Sequence, residues 1–256
     1  MPSSGLDVGS ASDVGRVRDS NEDAMLALEA GGPGAVLVAV ADGMGGHNAG
    51  EVASAIAVQS LRRIFSELSQ APLERAAESE SSQAELERAV EQANEAIWEA
   101  ACADVEKEGM GTTLVCALVG ATGEVTIANV GDSRAYAVTD GQARLVTVDH
   151  TWVSDQVRLG QLSAEEARTS PYRHLLTRSL GATPRVQVAL YRDVRLAPGD
   201  ALVLCSDGVT SYLDSKDLSR EVAQAETAQQ AAERLVKLAV RRGGADNATA
   251  VVVRRA

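Results

Sequence analysis

Three segments of the chain have the hydrophobic pattern of amphipathic helices. Each begins with a polar residue that can cap a helix, at Asn48, Ser82 or Thr227, and apolar residues at helical spacing follow on one face. Because only one side of each segment is apolar, we expect each helix to cover other elements on that side. The apolar positions are Val52, Ile56, Leu61, Ile64, Phe65 and Leu68; Leu86, Val90, Ala93, Ile97, Ala101 and Val105; and Ala231, Leu235, Leu238 and Ala239.

Short apolar runs lie between these helices and predict buried strands. They are rich in valine and nearly continuous, which is typical of strands covered on both faces. Residues 124–130 and 134–138 flank Gly131-Asp132-Ser133, a turn signal, and are predicted to form a hairpin. Strands interrupted by long amphipathic helices indicate sheets covered by helices. The continuous runs are residues 35–41, 114–119, 201–205 and 248–253.

Two stretches lack either pattern. Residues 71–82 are polar and are predicted to be a surface connection. Residues 149–181 contain short helical pieces near Leu159 and over 164–168, and we interpret them as an irregular insertion that carries recognition rather than core. Because no internal repeat or domain boundary is visible, we expect residues 1–256 to form one domain.

Composition excludes some classes of function. The formal net charge of -12 and the 3% of aromatic residues argue against nucleic-acid binding, which uses clustered cations and stacking rings. Cys102, Cys116 and Cys205 are far apart and are expected to be reduced core residues. The sequence shows no signal peptide and no apolar run of membrane-spanning length, so we expect a cytoplasmic protein without a membrane partner.

Acidic residues recur where the predicted strands end. A single aspartate at such a place is ordinarily a turn residue, but recurrence across the chain predicts carboxylates gathered at one rim of the core. Like charges so close together need a compensating cation. Oxygen-only ligands favour Mg²⁺ or Mn²⁺, whereas scattered histidines and the lack of a CxxC pair disfavour zinc. The positions are Asp23, Asp42, Asp132, Asp207 and Asp246, with the Gly43 carbonyl as a further candidate ligand.

Other motifs do not fit the segment that begins at Asp42. An EF-hand is excluded because Met44, Gly46 and Ala53 occupy ligand positions. A phosphate-binding Walker A loop is excluded because Glu51 stands where that motif requires lysine. A dinucleotide fingerprint would need a glycine in place of Asn48.

Several short motifs follow one another along the chain: Arg18-Asp19-Ser20-Asn21-Glu22-Asp23, Asp42-Gly43-Met44-Gly45-Gly46-His47 with Ala49-Gly50-Glu51, Gly111-Thr112-Thr113, Gly131-Asp132-Ser133-Arg134, Ser206-Asp207-Gly208 and Asp246-Asn247. In this order they resemble the motifs of the protein phosphatase 2C family, over nearly the whole chain. Each motif alone is weak, but the ordered set is specific, and residues 149–181 resemble the family's flap.

The resemblance implies an α+β fold, a four-layer αββα sandwich of two antiparallel sheets. It implies that Asp42 bridges two Mn²⁺ or Mg²⁺ ions, with Asp23 and the Gly43 carbonyl completing one site. Asp207 and Asp246 would complete the other site. Asp132 would share a third, weaker ion with Asp207, and Arg18 would bind the substrate phosphate. Such ions activate a water molecule for attack on phosphorus, so the lack of a cysteine or serine nucleophile is expected.

The chain departs from the family pattern at three positions. Met44 stands where animal enzymes have a histidine, and His47 follows three residues later. Ser211 replaces an aspartate of one variant motif, and His174 replaces an expected flap asparagine. We expect His47 to cap or pack the following helix at least as readily as to serve the site.

The predicted function is hydrolysis of phosphoserine and phosphothreonine in proteins, by a monomer that opposes a bacterial Ser/Thr kinase. Two alternatives stay open at this point: a non-catalytic binding module of the same fold, and a hydrolase of small phosphate esters. Retention of every expected metal aspartate argues against the first alternative, and the flap-like insertion argues against the second. Asn247 is expected to support Asp246 rather than to contact substrate.

Overall fold

A computed structural model of the protein describes residues 5–29, 34–45, 49–69 and 79–256. Two antiparallel sheets lie face to face in it. The first has strand order β1-β11-β10-β7-β8, and the second has order β2-β3-β5-β6-β9, with β4 paired to β3 beside that path. The strands are β1 Leu6–Asp13, β2 Asp23–Glu29, β3 Val36–Met44, β4 Gly111–Thr112, β5 Leu114–Val119, β6 Glu124–Val130, β7 Arg134–Thr139, β8 Gln142–Leu145, β9 Ala189–Arg195, β10 Ala201–Cys205 and β11 Ala248–Arg255.

Helices cover the outer face of each sheet, so the predicted αββα order of layers is confirmed. Helices α1 and α2 pack on the second sheet, and α6 and α7 pack on the first. No helix in the described ranges is both long enough and apolar enough to cross a membrane. The helices are α1 Ala49–Ser69, α2 Ser79–Ala103, α3 Trp152–Arg158, α4 Ala164–Thr169, α5 Asp207–Thr210, α6 Ser215–Ala223 and α7 Ala228–Arg242.

Strand β3 shows why apolar and polar residues do not alternate in the buried strands. Its residues Val36, Val38 and Val40 point into the core between the sheets. The intervening Leu37, Ala39 and Ala41 pack under α1 and α2. Because both faces are buried, every position along the strand must be apolar. The predicted strands at 114–119 and 201–205 are confirmed at the same bounds. The strand predicted at 35–41 spans Val36–Met44, and the one predicted at 248–253 spans Ala248–Arg255.

The predicted hairpin over residues 124–138 is wrong. Strand β6 pairs with β5 and β9 in one sheet, whereas β7 pairs with β10 and β8 in the other. Residues 131–133 therefore connect the two sheets instead of closing a hairpin. Both strands pair with other partners, and the turn signal does not state which sheet the next strand joins.

Three smaller expectations also change. Helix α2 begins at Ser79, so Ser82 lies within the helix rather than at its cap, and the surface connection cannot extend to residue 82. Residues 70–78, like the cap residue Asn48 and His47, lie outside the described part. Cys116 and Cys205 are buried as expected, but Cys102 is exposed on α2. The predicted cap at Thr227 is confirmed, because its side chain accepts a hydrogen bond from the Gln230 amide.

Candidate metal centre

One edge of the two sheets gathers the acidic residues that the sequence singled out. Asp23 begins β2 and is paired directly with Asp42 in β3. Asp207 begins α5 immediately after β10, and the pKa values of Asp23 and Asp42 respond to the charges of both Asp207 and Asp246. Asp132, in the connection from β6 to β7, acts on Asp42 in the same way. We call Asp23, Asp42, Asp132, Asp207 and Asp246 the carboxylate cluster.

Asp23 is partly buried, and among the described residues only one oxygen of its carboxylate has a hydrogen-bond partner. Its Oδ2 accepts a hydrogen bond of 2.8 Å from the Ser206 hydroxyl, but Oδ1 is buried and has no hydrogen-bond partner within the described ranges. Burial, together with the charges of Asp207 and Asp246, raises the pKa of Asp23 to about 7. An unpartnered buried carboxylate oxygen is costly unless a cation meets it.

Asp42 is fixed through its backbone rather than its side chain. Its carbonyl accepts hydrogen bonds from the Thr112 hydroxyl and the Thr113 amide, both at 2.9 Å. Its amide donates to the Thr113 hydroxyl at 3.1 Å. The carboxylate is therefore held inside the cluster, where burial and the charge of Asp23 raise its pKa well above the ordinary range.

The glycines after Asp42 and Asp207 allow the backbone to approach closely. A Cβ at Gly43 would lie 2.1 Å from the Gly50 carbonyl oxygen, and one at Gly208 would lie 1.9 Å from the Asn247 carbonyl oxygen. No side chain fits at either place. The Asp-Gly pairs are thus required by packing, beyond any role as turn signals.

The flap brings a histidine to the cluster. His174 Nδ1 lies 3.4 Å from Asp207 Oδ2, and one ligand atom each from Asp132, His174 and Asp207 lie within 4.8 Å of one another. Burial and the neighbouring Asp207 raise the pKa of Asp132 to about 7, and the adjacent Asp207 carboxylate raises the pKa of His174. The sequence marked His174 only as a departure from a family pattern, so its position beside two aspartates was not predicted.

Arg18 reaches the cluster through Asp246. One guanidinium nitrogen lies 2.9 Å from Asp246 Oδ2, and half of the Arg18 side chain is exposed. The structure thus pairs this arginine with a predicted metal ligand. The hydrogen bond and charge of Asp246 raise the Arg18 pKa further, so the side chain is a permanent cation at the rim.

Neutral side chains hold the cluster in place. Asn247 is buried, donates from its amide to the carbonyls of Val14 and Ser20, and accepts from the Glu22 amide. It therefore joins the segment before Asp23 to the turn that carries Asp246, in line with its predicted supporting role. Ser206 was missed, because a lone serine before an Asp-Gly pair carries no sequence signal for a buried carboxylate partner.

The donor set fits divalent cations. Burial disfavours the charged form of its carboxylates, and within the described residues one oxygen of Asp23 has no hydrogen-bond partner. Carboxylate and carbonyl oxygens are the ligands of Mg²⁺ and Mn²⁺. The predicted candidates Asp23, Asp42, Asp132, Asp207 and Asp246 are all at this edge, and Arg18 adjoins them.

Comparison with known proteins gives consistent results. A family model described as protein phosphatase 2C matches residues 16–239. The serine/threonine phosphatase stp of Listeria monocytogenes is 35% identical over 95% of this chain and 93% of its own length. A serine/threonine phosphatase structure from S. agalactiae aligns with a TM-score of 0.88 and 32% identity, covering 98% of this chain and 100% of that one. The catalytic domain of the phosphatase PstP, in complex with 2 manganese ions, aligns with a TM-score of 0.80 at 33% identity, covering 97% of each chain.

Proposed function

The chain belongs to the protein phosphatase 2C family, and we propose that the carboxylate cluster is the metal centre at which it hydrolyses phosphoserine and phosphothreonine in proteins. The supporting observation is the convergence of acidic side chains from distant parts of the sequence, one of which has a buried oxygen without a partner. The whole chain, residues 1–256, serves as one catalytic domain in this proposal, with residues 149–181 as its flap.

Each member of the cluster has a proposed ligand role. Asp42, Asp23 and the Gly43 carbonyl would hold one ion, and Asp42, Asp207 and Asp246 would hold another. Asp132 and Asp207 would hold a third ion. Manganese or magnesium bound there would supply a Lewis acid that lowers the pKa of a water molecule to near neutrality.

The chain's own contribution is to position substrate and charge. We propose that Arg18 exchanges Asp246 for the substrate phosphate, whose oxygens match its planar fork. Hydrogen bonds from Thr112 and Thr113 to the Asp42 backbone, and from Ser206 to the Asp23 carboxylate, keep both carboxylates in place. No reorganisation of these side chains is therefore needed during the reaction.

Cellular context follows from this activity. The substrates are phosphorylated proteins, and we propose that a Ser/Thr kinase produces them in the bacterial cytoplasm, where reduced cysteines such as Cys116 and Cys205 persist. We also propose a monomer, since the apolar faces of α1, α2 and α7 are covered within the chain. Light scattering at assay concentration tests the last point.

The test compares a phosphothreonine peptide with a small phosphate ester, with Mn²⁺, with Mg²⁺ and with chelator. We expect metal-dependent turnover of the peptide, abolished by chelator and reduced more than ~100-fold in Asp207→Asn, because a metal ligand is lost. Asp193→Asn, an exposed substitution on β9, is the matched control and should behave as wild type. Normal turnover by a folded Asp207→Asn protein would end the proposal.

A further inference from the structure

His174, on the flap, reaches the carboxylate cluster. Its Nδ1 is 3.4 Å from Asp207 Oδ2, and Asp132 offers a third ligand atom within 4.8 Å of both. The imidazole is half exposed and Asp207 is 22% exposed, so one side of this group is open to solvent. Two carboxylates and an imidazole therefore face a common space that water can enter.

The backbone holds His174 in this position. The next residue, Leu175, accepts a 2.8 Å hydrogen bond from the Trp152 amide, and the Thr177 amide donates to the His150 carbonyl at 2.9 Å. Tyr172 packs edge-on against Trp152 with ring centroids 5.5 Å apart. The segment that carries His174 is thus clamped on both sides to the start of the flap, and its imidazole does not depend on a free loop for its placement.

The spacing suits a shared cation better than a simple hydrogen bond. A nitrogen-to-carboxylate separation of 3.4 Å is longer than a charge-assisted hydrogen bond, which is ordinarily ~2.7–2.9 Å. Two atoms that each lie ~2.1 Å from one ion are ~3–4 Å apart, depending on the angle at the ion. The His174–Asp207 separation lies in that range, and Asp132 offers an atom within 4.8 Å of both.

We propose that His174 is a ligand of the ion shared by Asp132 and Asp207, so that this site takes a divalent transition-metal ion through one nitrogen and carboxylate oxygens. The inference rests on the proposed function, which gives these two aspartates a metal. It adds a ligand from the flap and a chemical selectivity. Imidazole nitrogen favours transition ions over Mg²⁺, which prefers oxygen and retains its waters.

A second consequence concerns the flap. If one ligand lies on the flap and two lie on the sheet edge, metal binding ties the flap to the catalytic edge. Departure of the ion releases this tie, while the backbone clamps inside the flap remain. The ion thereby adjusts the surface that a substrate meets.

Pulsed electron paramagnetic resonance of Mn²⁺ bound to the full chain tests the ligand directly. The wild-type protein should show nitrogen modulation from an imidazole bound to manganese, and His174→Asn should remove it. Calorimetric titration with Mn²⁺ should show the weakest binding step reduced at least ~10-fold in His174→Asn, with the tighter steps kept. The same titration with Mg²⁺ should change less.

Arg168→Asn is the matched control, since it places the same residue on the exposed surface of the flap and also removes a cation. It should keep the nitrogen signal and the manganese affinities. Persistence of the nitrogen signal in His174→Asn, or unchanged manganese affinities in that variant, would overturn the inference and leave an ordinary contact between His174 and Asp207.

The outcome is separable from that of the proposed function. Wild-type protein that binds manganese and hydrolyses phosphopeptide, but gives no nitrogen modulation, refutes only the role of His174. Wild-type protein that binds no manganese refutes both. Circular dichroism of His174→Asn, whose substitution is exposed, verifies that the variant is folded.

Discussion

At the scale of single residues, the position of Arg18 suits it to substrate binding rather than to the catalytic step. Its guanidinium pairs with Asp246 at the edge of the carboxylate cluster, and half of the side chain is open to solvent. A cation at this place can meet a phosphate without entering the buried centre. Its loss should therefore weaken the capture of substrate more than the reaction of bound substrate.

We predict that Arg18→Ala raises the KM for a phosphothreonine peptide and has little effect on kcat. A charge-assisted contact contributes about 1.5–3 kcal/mol, which corresponds to a ~10- to 100-fold change in KM. Steady-state kinetics at saturating Mn²⁺ measures both constants. Arg16→Ala, on the same exposed segment, is the control and should change neither. A fall in kcat at constant KM would contradict the assigned role.

Residue identity alone could not assign the histidines. The three histidines are scattered in sequence, which argued against a nitrogen ligand. Folding buries His150, whose Nδ1 accepts a hydrogen bond from the Gly131 amide and whose pKa falls to about 4 through burial. It places His174 beside Asp207 instead. The two histidines thus differ in chemistry because their surroundings differ.

At the scale of elements, helices α6 and α7 are joined by charge as well as by apolar packing. Asp217 caps α6 together with Asp214 and binds both Arg220 and Arg242, the latter through two guanidinium nitrogens. The Asp217 side chain is only 10% exposed. Arg242 holds the pKa of Asp217 well below its usual range.

We predict that Asp217→Asn lowers the free energy of unfolding by about 1–3 kcal/mol at pH 7, because the variant leaves charged partners uncompensated. A depressed folded-state pKa stabilises the fold above the unfolded-state value of ~3.9 and loses that contribution as the pH falls. The difference from wild type should therefore shrink below pH 4. Urea unfolding at several pH values measures it; a difference that grows on acidification would contradict the ion-pair explanation.

Helix α5 meets the turn before β11 through a contact that admits no side chain. A methyl group at Gly208 would lie 1.9 Å from the Asn247 carbonyl oxygen, so one of the two elements must move. These elements carry Asp207 and Asp246. The contact thus sets the distance between two proposed ligands of one ion.

We predict that Gly208→Ala reduces manganese affinity and phosphatase activity by at least ~10-fold, because a displaced ligand loses its geometry. Calorimetry and peptide turnover measure the two effects. Gly5→Ala is the control, since a methyl group there would meet nothing within 4 Å. Wild-type affinity in a folded Gly208→Ala protein would show that the two elements can separate without cost to the site.

At the scale of the whole molecule, the carboxylate cluster is a source of instability when no cation is bound. Burial and mutual repulsion raise the pKa of Asp23 and Asp132 to about 7 and that of Asp42 well above the ordinary range. Near pH 5 to 6 the folded state therefore binds more protons than the unfolded state. Stability must fall as the pH rises through this window, since the unfolded carboxyls are already ionised.

We predict that the chelated protein is more stable at pH 5.5 than at pH 8, with a loss of up to about 1.4 kcal/mol per pH unit for each such carboxyl. Saturating Mn²⁺ should remove most of this dependence, because the ion stabilises the anionic form. Thermal unfolding with chelator and with Mn²⁺ at both pH values tests it. Greater stability of the chelated protein at pH 8 would contradict uncompensated burial of the cluster.

The hydrophobic pattern predicted the buried strands and the amphipathic helices, and the aspartates at the strand ends predicted the ligand types. The runs at 114–119 and 201–205 are short and apolar at every position, which indicated strands covered on both faces. The amphipathic segment capped at Thr227 indicated a helix with one covered face. Aspartates at the strand ends already indicated a cation, because recurring carboxylates at one rim require compensation.

The tertiary structure alone decided which distant groups meet. Residues 131–133 cross between sheets rather than closing a hairpin, since pairing depends on long-range partners that a turn signal does not name. Ser206 reaches Asp23, and His174 reaches Asp207, across long separations in sequence. The periodicity of apolar residues indicates which face of a helix or strand is buried. Which residues that face and its edges contact depends on how segments distant in sequence pack around the common core.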